Sequence, residues 1–120
     1  MCDPGAGFDN RLTLMQANGI DTRELTTEIA ALLDSPAAGA EAPSLSALED
    51  TLTTGYARAL ALEAERDRIE HRLTAVERDD AELLRVQLER VQHELTELRR
   101  ILVPLRSRAS AVRALDAMQA

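Results

Sequence analysis

The chain has no tryptophan, no lysine, one tyrosine, one phenylalanine and one cysteine in 120 residues. With so few aromatics, the bulky side chains that usually fill a globular core are missing, and leucine and alanine must supply the apolar contacts. The lone Cys2 excludes an internal disulfide, and no histidine or basic cluster stands beside it in sequence to activate it as a nucleophile. Arginine provides all 14 basic residues, which points to a GC-rich bacterial genome rather than a physical demand, because an exposed helix position accepts lysine or arginine at little energetic difference. No apolar run approaches the length needed to span a bilayer. Met1 to Asn10 holds two aspartates, no basic residue and no apolar stretch, so a secretory segment is not expected and the reading is cytoplasmic, with no membrane partner.

Positive charge is scarce too. The net charge is −7, and it is unevenly spread: residues 1–50 carry −7, residues 51–98 carry −4 and residues 99–120 carry +4. A basic end and an acidic beginning favour a chain that folds back on itself, and they argue against nucleic acid, which needs a net positive surface.

What is present is heptad spacing. Residues 1–20 contain Pro4, Gly5, Gly7, Asn10, Asn18 and Gly19 and read as a mobile arm, although Phe8, Leu12, Leu14 and Met15 could dock. Residues 21–34 read as a short amphipathic helix, opened by the capping pair Asp21 and Glu24 and marked by Leu25, Ile29, Leu32 and Leu33. Residues 35–43 form a linker ended by Pro43, with Ser44 or Ser46 capping the next helix. From there an apolar seam runs Leu45, Leu48, Leu52, Gly55, Ala59, Leu62, Arg66, Ile69, Leu73, Val76 at alternating intervals of three and four. A second seam runs from Leu84 through Leu88, Val91, Leu95, Leu98, Leu102, Leu105 and Ala109 to Val112, one residue out of the first register.

That slip marks either a distortion in one long helix or a turn near 78–81. The absence of glycine and proline there favours the distortion. The clustered acids Asp79, Asp80 and Glu82, the nearly equal seams and the small Gly55 and Ala59 facing large Leu105 and Leu102 favour the turn, as does a set of matched pairs. With the seams as heptad positions a and d, position e of one helix meets position e of the other in Glu77/Arg85, Glu70/Gln92, Glu63/Arg99, Tyr56/Arg106 and Glu49/Arg113. The residue numbers in every pair add to the same total, as an antiparallel hairpin requires, and none of the pairs is like-charged. A parallel dimer of one long helix would oppose Glu65 to Glu70 and Arg108 to Arg113.

The expected fold is therefore all-α: an antiparallel coiled-coil helical hairpin over residues 44–120, kinked at Pro104 and preceded by a short helix. Two helices cannot bury leucine on all sides, so Leu60, Leu83, Val86, Ile101, Val103 and Leu115 await cover from residues 22–34 or from a second hairpin in a homodimeric four-helix bundle. Arg66 in the seam needs a carboxylate, with Glu94 as its natural partner across the hairpin. Arg99, Arg106 and Arg113 are used by the e pairs, Tyr56 beside Arg106 reads as a cation–π contact, and Arg100 and Arg108 are left freer. His71 and His93 fall on outer faces, too far apart to share a metal.

No cofactor, metal ion or catalytic residue is expected, and the first functional reading is a non-catalytic adaptor or regulatory module. It would bind a helical protein partner through Leu60, Ile101, Val103 and Leu115 with the Gly55/Ala59/Pro104 region. The second reading is a regulator responding to a small anionic ligand through Arg66 and Arg72. In overall plan, with Glu65, Arg72 and Asp80 at the first, third and fifth places of a helical Glu-Ser-Arg-Gln-Asp pattern spaced by four, three, four and four, the chain resembles small helical-hairpin anti-sigma factors of actinobacteria. Ile69 and Val76 stand at the Ser and Gln places. That resemblance implies a cyclic dinucleotide as the anionic ligand and a sigma factor as the protein partner.

Overall fold

The computed structural model describes residues 21–119, which form three helices: α1 (Thr22–Asp34), α2 (Leu45–Leu73) and α3 (Arg78–Gln119). The arm expected over residues 1–20, with Cys2, lies outside the described residues. Among the described residues there is no strand, and no helix is long and apolar enough to cross a membrane.

Each helix begins and ends for a local reason. The Asp21 carboxylate accepts from the Arg23 backbone N–H at 3.0 Å and so caps α1. At the other end the Ser35 hydroxyl donates to the Ala31 carbonyl at 2.9 Å, and Pro36 follows. The Ser44 hydroxyl accepts from the Ala47 N–H at 3.1 Å, which selects Ser44 over Ser46 as the cap of α2. Helix α2 closes on Thr74, whose hydroxyl donates to the His71 carbonyl at 2.6 Å while the Ala75 N–H bonds the Arg72 carbonyl at 3.1 Å.

The chain therefore reverses over 74–77, ahead of the expected 78–81. Glu77, not Asp79, occupies the start of α3, its carbonyl accepting from the Ala81 N–H at 3.0 Å. Asp79 and Asp80 lie in the first turn of α3, where the positive end of the helix favours them. Neither glycine nor proline is needed, because Thr74 satisfies carbonyls that a helix end leaves open. Pro104 sits on an exposed position inside α3, which continues through it to Gln119.

Packing follows the heptads. Leu48, Leu52, Gly55, Ala59, Leu62 and Ile69 of α2 are buried against Leu84, Val91, Leu95, Leu98, Leu102, Leu105 and Ala109 of α3. Gly55 permits the close approach, since a Cβ added there would run into the Leu102 side chain. Leu25 and Ile29 join the same core from α1, with Leu32 and Leu33 partly buried beside them. The three helices thus form one core, and the short helix docks on its own hairpin.

Candidate functional site

Helix α1 occupies one flank of the hairpin and leaves the other open. Its flank is built from heptad position g: Arg58 on α2 with Glu94, Ile101 and Arg108 on α3. At the start of α1 the Thr22 hydroxyl donates to Glu94 Oε2 at 3.1 Å and accepts from Arg58 Nε at 3.1 Å, while Arg58 Nη2 lies 3.5 Å from the same carboxylate. At the end of α1 the Arg108 guanidinium donates to the carbonyls of Leu32 at 2.6 Å and Leu33 at 2.8 Å, and also to those of Ser35 and Pro36. The last turn of α1 carries no basic residue of its own. Arg108 supplies from α3 both the donors and the positive charge that a helix C-terminus lacks.

These contacts correct two expectations. Arg108 is not free, and Glu94 belongs to Thr22 and Arg58 rather than to Arg66. Arg66 turns instead to its own helix, with Nη2 3.2 Å from Asp67 Oδ1 and Nε 3.6 Å from Glu70 Oε1. Its head stays part-exposed over the seam, so it snorkels to nearby carboxylates and needs no ligand from α3. The g-side arrangement escaped the sequence reading because hairpin arithmetic considers two helices. The available signals were a short helix ending without a base and an unmatched arginine at a g position.

The opposite flank, at positions e and b, carries two of the three opposite-charge pairs expected across the helices. Glu63 joins Arg99 and Glu49 joins Arg113. Tyr56 and Arg106 line one groove together with Leu52 and Ala109. Glu77 and Arg85 form no pair: Glu77 heads α3, and Arg85 lies 3.7 Å from Glu82 on its own helix. Between the two ion pairs the flank presents Tyr56, Leu60 and Val103, with Arg106 beside them. Leu60 and Val103 are each 66% exposed and Tyr56 41%, around a groove floored by Ala59 and Leu102.

The residues named for partner binding thus separate. Leu60 and Val103 lie together on the open flank. Gly55 and Ala59 are enclosed within the hairpin under it, and Ile101 is partly buried on the α1 side, in a hollow shared with Thr22, Thr26 and Pro104. Leu115 is exposed toward the far end of α3, while Leu83 and Val86 are exposed near the reversal. The candidate anion contacts do not gather: Arg66 is held by Asp67 and Glu70, Arg72 stands in the last turn of α2, and Asp80 lies beyond the reversal on α3. A pattern that needs Glu65, Arg72 and Asp80 along one helix is therefore divided by the turn. His71 and His93 are exposed, and among the described residues no group of histidine, cysteine and carboxylate side chains could hold a metal ion.

No protein-family model matches the chain, and no curated protein or solved structure matches it. Its function has to be read from its own geometry.

Proposed function

We propose that the chain is a non-catalytic interaction module, in which α1 secures one flank of an antiparallel hairpin and the other flank receives a helical protein. The observation that carries this reading is the exposure of Tyr56, Leu60 and Val103 side by side over Ala59 and Leu102, with the Glu63–Arg99 and Glu49–Arg113 pairs along the flank. An apolar centre in a charged rim is the anatomy of a docking surface, and two antiparallel helices present the groove between them to the apolar stripe of a third. Helix α1 already exploits the same geometry on the opposite side.

The reading is tested with a photoactivatable residue placed at Leu60 or Val103, and at exposed His93 on the α1 side as a control, at native expression. Light is expected to attach a polypeptide at the first two positions and not at the third. A further Val103→Glu change in the Leu60-labelled chain is expected to remove that adduct while helicity stays unchanged. Adducts absent from both flank positions, or equally strong at His93, would refute the assignment.

A further inference from the structure

The charges of the open flank are segregated by helix. At its e and b positions α2 carries Glu49, Glu63, Asp67 and Glu70 and no base, whereas α3 between Gln92 and Arg113 carries Arg99, Arg106 and Arg113 and no acid. The flank is therefore an acidic strip beside a basic strip, with Tyr56, Leu60 and Val103 exposed in the middle. Such a surface distinguishes sharply between the ways it can be seated on itself.

Two two-fold axes lay this flank on its own copy with the helices aligned. An axis running along the hairpin places α2 of one copy over α3 of the other, acidic strip on basic strip along the whole contact. An axis running across the hairpin places α2 on α2 and α3 on α3, so that like charges oppose each other. In an isologous contact every favourable pairing occurs twice, and so does every unfavourable one. In the first arrangement each carboxylate of the Glu63–Arg99 and Glu49–Arg113 pairs gains arginines from the facing helix; neighbouring helices run antiparallel in both arrangements, so the charges choose between them.

We propose that the occupant of the open flank is a second copy of this chain, aligned so that both reversals lie at the same end and α2 of each copy packs on α3 of the other. The proposal rests on the reading of that flank as the docking face and names what docks there. The size is adequate. From Glu49 to Glu70 the flank is about 31 Å long. At two helix diameters, roughly 20 Å wide, it offers about 600 Å² of projected face, near the ~800 Å² per partner of a standard interface.

Sedimentation equilibrium of the full chain tests the occupant, and dipolar spectroscopy between single labels at Ala75, in a Cys2→Ser background, tests the alignment. A reversible dimer is expected. Val103→Glu, which sets an acid in the basic strip against the acidic strip of the facing copy, should weaken it by roughly a hundredfold, as for a central contact residue, with circular dichroism unchanged. Ala75 lies about 23 Å along the helix from Leu60. The two labels should therefore stand within roughly 20 Å of each other in the proposed alignment and near 45 Å in the reverse one.

A chain that stays monomeric at all concentrations, a dimer indifferent to Val103→Glu, or labels at the longer distance would overturn the proposal. Failure here is separable from failure of the docking face itself. A monomer whose Leu60 still cross-links to a different polypeptide keeps the face and loses the second copy. A monomer with no adduct at Leu60 loses both.

Discussion

The hairpin uses the same leucine spacing at both ends, yet the half beside α1 and the half toward the reversal are closed differently. Beside α1, Leu48, Leu62, Leu98 and Leu105 are almost wholly withdrawn from solvent. Toward the reversal, Ile69, Leu84 and Val91 are buried as well, but Leu73, Val76 and Leu88 at the neighbouring seam positions remain half-buried, and Arg66 sits among them. Two helices pressed together leave each leucine open on two sides, and a third helix is needed to shut one of them. The difference comes from thirteen residues of α1 and from the polar clasps at its two ends. Seam spacing sets the pairing of the helices and a core that reaches Ile69, Leu84 and Val91; the short helix sets where that core is closed most completely.

Cavity formation should separate the two halves most severely. Leu98→Ala is expected to cost about 2–5 kcal/mol, because the site is enclosed on all sides, whereas Leu88→Ala toward the reversal should cost about 1–2 kcal/mol. Urea denaturation of both variants checks the ratio; equal costs would mean that α1 adds nothing to burial. Arg108→Ala should cost about 1.5–3 kcal/mol, since it strips four carbonyls of charged donors at the end of α1. That loss should appear as faster hydrogen exchange over Leu25–Leu33, with α2 beyond Arg66 unaffected. The smallest change should be a gain: Arg66→Leu completes the seam in the half that lacks a third helix and should stabilise it by about 1 kcal/mol. A loss on that substitution would show that the contacts with Asp67 and Glu70 hold the helix more firmly than apolar contact would.

Much of this architecture is legible in the residues. The two leucine seams and the Glu63/Arg99 and Glu49/Arg113 matches require an antiparallel pairing, and both ion pairs form. The short helix and its Asp21 cap are equally plain, because a capping carboxylate and an apolar face at helical intervals are local features. The position of the reversal is not. Threonine closes α2 with its own hydroxyl and leaves no glycine or proline as a mark, while the acids that look like a turn belong to the first turn of α3.

The g-side residues are the other departure. Arg58, Glu94 and Arg108 look exposed in a two-helix count and become structural once α1 lies across them. The open flank is what remains after that assignment: Leu60 and Val103 are recognisable as off-seam residues from heptad position, but only the docking of α1 on the far side shows that they stay uncovered together.

Helix α1 has to be part of the hairpin rather than a separate appendage for the closed half to differ from the open one. Residue-resolved native-state hydrogen exchange of the full chain measures this directly. Amides of Leu25–Leu33 and those of α3 from Leu95 to Arg108 are predicted to open with a common free energy, above that of the stretch around the reversal. Rapid exchange throughout α1 beside a well-protected Leu95–Arg108 segment would contradict it.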